Sequence, residues 1–381
     1  MVLKIARRGA IPPFIVMDVM RAANERAAAG ADVLHLEVGQ PSTGAPERVI
    51  RAAEAALRSD KLGYTEALGL PALREKIAQH YRARYGLSVD PARIAITTGS
   101  SCAFLLTFLS AFDAGDRVAL TCPSYPAYKN ILTPLGIEIA EIAVDGATRF
   151  QPTLALLDAA GPLDGLVVAS PSNPTGSMLD AAAMRALVEG CALRGIRLIS
   201  DEIYHGITYD APATTALAFG SDMIVVNSFS KYFSMTGWRL GWMVLPPDLV
   251  RSAECLAQNF FVAPPTLSQL AALAVFDCIV ELDANVASYA GNRALLLEEL
   301  PRAGFRQIAP PDGAFYIYAD VGHLTNDSTE FCRRMLEETG VAATPGVDFD
   351  IRLGHRFVRF CYAGSNADTA EAARRLKNWL K

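Results

Sequence analysis

The chain lacks the spacings that announce several common protein classes. Its seven cysteines (Cys102, Cys122, Cys191, Cys255, Cys278, Cys332, Cys361) are scattered, odd in number and nowhere arranged as C-x-x-C. That argues against a disulfide framework and a zinc site, and reads as buried free thiols in a reducing cytoplasm. The five histidines show no H-E-x-x-H or comparable metal spacing. There is no block of lysine and arginine, and the net charge is −5, so nucleic acid or a membrane surface has little electrostatic support as a partner. No apolar run approaches the roughly 18 residues needed to span a bilayer. The N-terminal stretch breaks at Pro12-Pro13 and then reads as an amphipathic helix. No G-x-G-x-x-G follows any strand candidate, which argues against a dinucleotide dehydrogenase. Internal repeats and low-complexity linkers are absent too.

What is present suits a well-packed globule: 381 residues, 51% of them hydrophobic and 20% charged. That length predicts two domains, with room for one to be interrupted by the other. From about Arg93 to Leu245, short β-rich runs alternate with helical patterns. The runs are "RIAITT", "RVALTC", "IEIAEIAV", "GLVVAS", "IRLIS", "MIVVNS" and "RLGWMVL". Several are apolar throughout, as expected of strands covered on both faces, so the fold class is α/β with an open, mostly parallel sheet. From about Leu267 the chain predicts a smaller α+β domain. It opens with one long helical stretch ("TLSQLAALAVFDCIVELDANVASYAGNRALLLEEL") and continues through "GAFYIYADV" and "HRFVRFCYA". The N-terminal arm ending in "VLHLEVGQP" is expected to pack with this domain or lie across the cleft.

The ends of five strands carry polar groups: Gly99-Ser100-Ser101, Ser124-Tyr125, Ser172-Asn173-Pro174, Asp201-Glu202-Ile203-Tyr204, and Phe229-Ser230-Lys231. Ligands in open α/β sheets sit outside the carboxyl ends of the strands. Singly, each feature has a plain structural explanation: a helix cap, a turn, a solvated lysine. Together they match what one cofactor, pyridoxal phosphate, requires. It needs a lysine amine for a Schiff base, a carboxylate at its ring nitrogen, a phosphate cup and a stacking partner. Within "SFSKYFSMTGWRLGW", Lys231 lies among aromatic and hydroxyl residues with Arg239 eight positions on, and no acidic residue in the run pairs either cation. Such surroundings disfavour a charged ammonium. Asp201 suits the ring nitrogen. The backbone at Ser100 and Ser101, the hydroxyls of Ser228 and Ser230, and the Arg239 guanidinium suit the phosphate. Tyr125 offers a stacking face, and Asn173 and Tyr204 suit the phenolic oxygen.

These motifs, with "VGQP", "YTEALGLPALR", "TTGSSCAF", "CPSYPAY", "SPSNPTG", "SDEIY", "DGAFY" and "VRFCYA", resemble in order the class I/II aminotransferases of fold type I, which depend on pyridoxal phosphate. The resemblance covers nearly the whole chain. It implies a large cofactor domain over residues 48–275 with a mixed, mainly parallel seven-stranded sheet. A small α+β domain would form from residues 1–47 and 276–381. It further implies a homodimer with active sites at the subunit interface, acting on an amino acid and a 2-oxo acid, in the cytoplasm that the free thiols already suggest. By the motif match, Lys231 is the Schiff-base lysine and proton carrier, Asp201 its pyridine partner, and Asn173 and Tyr204 phenolic-oxygen ligands. Tyr125 is the stacking ring, and Ser100, Ser101, Ser228 and Arg239 are phosphate ligands, with Ser230 at a position where relatives often carry alanine. The match also makes Tyr64 a phosphate ligand given to the neighbouring subunit, Arg359 the clamp for the substrate α-carboxylate, and Gly39 a backbone donor to substrate.

Specificity is less marked. "GSSCAF" has Ser101 and Cys102 where relatives favouring acidic amino acids place a lysine, and Ile11, Pro12, Phe14, Ile15, Phe260 and Phe261 stand near segments that border the pocket. The reading is a neutral or aromatic donor with 2-oxoglutarate as acceptor. "PGVDFD" departs from the family's Phe-Gly by having Asp350 after Phe349, which leaves the local loop open. The same motifs also allow a C–S β-lyase or other β-elimination enzyme. A non-catalytic effector-binding module is a third alternative, disfavoured because the chain begins almost directly with the arm.

Overall fold

The computed structural model describes residues 3–381. Helix α1 (Ile15–Ala28) and the two-residue strand β1 (Leu34–His35) precede α2 (Glu47–Ser59) and α3 (Pro71–Tyr85). Then come β2 (Ile94–Thr97), α4 (Gly99–Ala111), β3 (Arg117–Cys122), α5 (Pro126–Leu135), β4 (Glu138–Ala143), α6 (Leu154–Ala160), β5 (Gly165–Ala169) and α7 (Ala181–Leu193). They are followed by β6 (Arg197–Asp201), β7 (Ile224–Ser228), β8 (Gly241–Val244), α8 (Val250–Phe260) and α9 (Thr266–Ala272). The last part holds α10 (Ile279–Arg302), β9 (Gln307–Ile308), β10 (Tyr316–Asp320), α11 (Ser328–Thr339), β11 (Val341–Ala342), β12 (Thr344–Pro345), β13 (Phe357–Cys361) and α12 (Asn366–Trp379).

All seven β-rich runs of the middle region join one seven-stranded sheet in the order β2-β8-β7-β6-β5-β3-β4. β8 runs antiparallel to both its neighbours and every other pairing is parallel. All strands except β8 therefore point their carboxyl ends to one edge. The apolar runs are explained by burial on both faces. Leu166, Val168, Val225, Trp242 and Val244 belong to one core, while their neighbours Val167, Ile224, Val226 and Met243 belong to another. Alternate side chains of a strand leave on opposite faces, so two covered faces demand an unbroken apolar run. Helices α3 and α7 close the first core, and α4, α5 and α8 the second. Trp242 is fully buried, and truncating such a side chain to alanine typically destabilises by ~3–5 kcal/mol.

The C-terminal region forms a four-stranded antiparallel sheet, β12-β13-β10-β9, in which Tyr318 faces Arg359 across the β10–β13 ladder. The N-terminal arm takes both expected places. β1 pairs in parallel with β11, while α1 packs against β11 and β12 beside the cleft. One expectation fails: the long helical stretch from Thr266 is two helices, α9 and α10, separated by a 3-10 turn at Val275–Asp277. No proline or glycine forces that break. α9 packs on α2 and α10 on α12, so a change of partner, with Val275 fully buried at the joint, overrides uniform helix propensity.

Candidate active site

The carboxyl edge of the large sheet and the small sheet enclose a cavity of about 480 Å³. β2 delivers Ser100 and Ser101 in the first turn of α4, β3 leads to Tyr125, β5 to Asn173, β6 ends in Asp201, and β7 leads to Ser230 and Lys231. Across the cleft stand Gly39 after β1, Tyr316 on β10 and Arg359 on β13. Tyr204 and Arg239 add to the polar lining, with Gln40, Tyr128 and Thr236. Helix α1 and the residue before it add Phe14, Val16, Met17 and Met20.

Lys231 Nζ donates to the Gly39 carbonyl at 2.6 Å. Desolvation in the pocket lowers its ammonium to about 8, and Arg359 and Arg239 push the same way. A lysine so placed is a usable nucleophile and base near neutral pH. Asp201 is buried, and desolvation raises its carboxyl to about 6 against opposing donors: the Tyr128 hydroxyl on Oδ2 and the Ile203 N–H on Oδ1 at 3.0 Å. Tyr204 shares a 2.6 Å hydroxyl–hydroxyl bond with Tyr316, and burial raises its phenol well above the ordinary range, so it stays a donor.

Arg359 is 2% exposed, with its guanidinium between the rings of Tyr316 (4.5 Å) and Phe349 (4.7 Å). It donates to Asn173 Oδ1 (2.8 Å), the Glu37 carbonyl (2.5 Å) and Thr344 Oγ1 (3.2 Å), all uncharged groups, and its buried Nε has no partner. A buried cation held by neutral acceptors retains its attraction for an incoming carboxylate. Arg239 donates to the Thr236 carbonyl at 3.1 Å, and its other terminal nitrogen lies beside Gly99. A Cβ built on Gly99, whose φ is +75°, would meet that nitrogen at 2.4 Å. Glycine suits both the positive φ and the close approach of the guanidinium to the first turn of α4, which has no side-chain cap from Thr98. Uncapped N–H groups beside an arginine make an anion cradle.

Most residues singled out from the sequence meet in this cavity. Ser228 does not line it: its hydroxyl lies behind Ser230, bonded to Ser230 Oγ (2.9 Å) and the Leu240 carbonyl (3.0 Å). Ser230, at the position where relatives often carry alanine, is the serine in the wall. Tyr64 stands at the surface, 87% exposed. Of the apolar candidates Phe14 lines the cavity, Pro12 and Ile15 border a smaller one behind α1, and Phe260 and Phe261 are exposed elsewhere. Asp350 closes its own turn, accepting from the N–H groups of Arg352 (2.7 Å) and Leu353 (3.0 Å). Sequence reasoning missed Tyr128, Tyr316, Val16, Met17 and Met20. The aromatic in "DGAFY" and the amphipathic arm were the available signals, while Tyr128 reads locally as a core aromatic. Among the described residues no group of three or more His, Cys, Asp or Glu could hold a metal ion, and no helix is long and apolar enough to cross a membrane.

A reactive lysine, a buried carboxylate, an anion cradle and an arginine clamp in one cleft define an enzyme site for amine chemistry on a carboxylate-bearing substrate. The profile of the family described as "Aminotransferase class I and II" matches residues 31–376. The chain is 51% identical to the valine–pyruvate aminotransferase of Mycobacterium tuberculosis, over 99% of this chain and 98% of that one. It is 31% identical to the aspartate/prephenate aminotransferase of Thermus thermophilus, over 97% of each. The crystal structure of an aminotransferase from Mycobacterium tuberculosis superposes with a TM-score of 0.98 at 50% identity, covering 100% of this chain and 99% of that one. The chain belongs to the class I and II aminotransferases. It is an enzyme of fold type I that uses pyridoxal phosphate to move an amino group from an amino acid to a 2-oxo acid. The residues present fit that cofactor: the cradle at Gly99 and Arg239 suits a phosphate, and the Lys231 amine suits an aldehyde.

Proposed function

We propose that this aminotransferase takes an amino acid with a neutral, apolar side chain as donor and a small monocarboxylic oxo acid such as pyruvate as acceptor. The observation that carries the reading is the wall of Phe14, Val16, Met17 and Met20, which lines the same cavity as Arg359 and contributes no charge. The cations lining the cavity are Lys231, Arg239 and Arg359, and each has a use already. None is left for the distal carboxylate of aspartate or 2-oxoglutarate, so pyruvate replaces 2-oxoglutarate as the preferred acceptor. The 51% identical relative named for valine and pyruvate supports the same choice.

In this reading Arg359 binds the α-carboxylate, its plane kept in register by the two flanking rings and Asn173. Gly39 contributes backbone to the same end. Ser100, Ser101, Ser230 and Arg239 hold the phosphate, with Ser228 buttressing Ser230, and Tyr125 covers the ring face. Asp201 keeps the ring nitrogen protonated, and Asn173 and Tyr204 hydrogen-bond the phenolic oxygen. The bound cofactor supplies an aldehyde that condenses with amines and a ring that delocalises the electrons of a deprotonated Cα. Lys231 would anchor it and, once free, would lift the Cα proton as base and deliver it to the former aldehyde carbon of the cofactor as acid, which leaves the amino group on the cofactor. A homodimer would bring Tyr64 of a second copy to the phosphate; its exposure, with that of Phe260 and Phe261, supports a covered face there. The division into domains at residues 48 and 275 and a cytoplasmic location, suggested by seven free cysteines, complete the proposal.

The test is a half-reaction panel. Purified holoenzyme is mixed with L-valine, L-alanine, L-phenylalanine and L-aspartate, and conversion of the bound cofactor to its amine form is followed by its visible spectrum. Apolar donors should lead, with pyruvate completing the cycle faster than 2-oxoglutarate. Preference for aspartate would overturn the donor assignment, and pyruvate and ammonia released from added L-cysteine without any oxo acid would point instead to β-elimination, with the thiol leaving as sulfide. Lys231→Ala should remove the borohydride-reducible link to cofactor; a link that persists would mean another amine holds it.

A further inference from the structure

Helix α1 begins without a cap of its own, since the Phe14 side chain accepts no hydrogen bond from its first turn. The cap comes from far along the chain. Asp348, 9% exposed, accepts the Ile15 N–H on Oδ1 at 3.0 Å and the Val16 N–H on Oδ2 at 3.3 Å. Only Val16 and Ala23 of α1 are buried, so packing alone pins the helix weakly. Its cavity-facing residues, Val16, Met17 and Met20, all lie in its first half, beside the cap.

Asp348 also belongs to the segment that builds the carboxylate clamp. Thr344 pairs with Arg359 in the β12–β13 ladder and accepts from its guanidinium, and Phe349 stacks 4.7 Å from it. The Phe349 carbonyl accepts from the Ser124 N–H at 3.1 Å, and the neighbouring Tyr125 ring meets the Phe14 ring edge-on at 5.7 Å. One short stretch, residues 344–349, therefore touches both the group that binds the α-carboxylate and the helix that faces the side chain.

We propose that Asp348 is a positioning residue for donor selection: by capping α1 from the segment that backs Arg359, it fixes the distance between the carboxylate clamp and the apolar wall. This rests on the reading that the wall receives the donor side chain. A side chain long enough to reach the wall gains from its being held in place; the methyl group of alanine does not.

The experiment compares wild type, Asp348→Asn and Asp348→Ala as holoenzymes. With the cap lost, kcat/KM for L-valine should fall about tenfold, mainly through KM, while that for L-alanine changes less than about twofold. Asp348→Asn, which keeps one acceptor oxygen, should fall between, and it carries the test if the alanine variant does not fold. Hydrogen exchange of the amides at Ile15 and Val16 should speed up in both variants without substrate. Equal loss for valine and alanine, or unchanged exchange at those amides, would overturn the proposal. If wild type itself rejects L-valine, the donor assignment fails, while the exchange rates still report whether Asp348 holds the helix.

Discussion

Tyr128→Phe removes one hydroxyl and keeps the ring that packs edge-on against Phe104 (4.9 Å) and Tyr125 (5.4 Å). What is lost is a donor to the Asp201 carboxylate. Burial already raises Asp201 from 3.8 to about 6, so in the cofactor-free protein the ionised form is disfavoured. An acid whose folded value lies above its unfolded value favours folding most when protonated, below about pH 4, and that contribution is lost as pH rises through about 6. A charge-assisted hydrogen bond is worth roughly 1.5–3 kcal/mol, so its removal should raise Asp201 by a further one to two units. The phenol itself is held well above its ordinary range by burial and remains a proton donor throughout. Wild type and variant should thus differ little near pH 4.5, and the gap should widen to roughly 1.5–3 kcal/mol by pH 8. For a chain of this length that is a melting-temperature gap of about 2–4 °C, growing with pH, in thermal scans of the apoenzyme. A gap of the same size at pH 4.5 and pH 8 would refute the reasoning, because the hydroxyl would then be acting on packing and not on the carboxylate.

Gly99→Ala places a Cβ 2.4 Å from an Arg239 nitrogen at a φ of +75°, so the displaced guanidinium should weaken cofactor binding at least tenfold, while backbone strain of about 1–2 kcal/mol lowers the stability of apoenzyme and holoenzyme alike; unchanged cofactor titration would contradict the cradle. With its ammonium lowered to about 8, Lys231 in the apoenzyme should be about a tenth deprotonated at pH 7, and acylation of its peptide, read by mass spectrometry, should titrate near pH 8; a midpoint above 10 would refute the desolvated amine. Glu202 is buried behind the site and raised to about 7 by desolvation, with Oε2 unpartnered. Stability lost by wild type as pH rises through 7 should therefore be kept by Glu202→Gln, a gain of about 1–3 kcal/mol at pH 8 in urea titrations, and a variant equally sensitive to pH would argue against it.

Legibility in the sequence tracked how far apart the cooperating residues lie. The strands could be read because an unbroken apolar run is itself the mark of two covered faces, as the split of Val225 and Val226 between two cores shows. Gly99-Ser100 and Ser230-Lys231 could be read because a strand and the polar group at its end share one stretch of chain. Ser228 and Ser230 show the limit of that reading: two residues apart, they differ in whether they line the cavity, and the hydroxyl of Ser228 is turned to the Leu240 carbonyl and to Ser230 Oγ. Tyr128 works through Asp201, 73 residues away, Tyr204 through Tyr316, 112 away, and Asp348 through α1, 333 and 332 away. Helical periodicity marked the arm as amphipathic, yet which residues meet the cleft depends on a cap supplied from the other end of the chain. Asp201, Ser230 and Lys231 sit at or just beyond strand ends, and local sequence finds them. Groups that hold those residues in place are chosen by the fold, so their identities are set by partners that no local pattern contains.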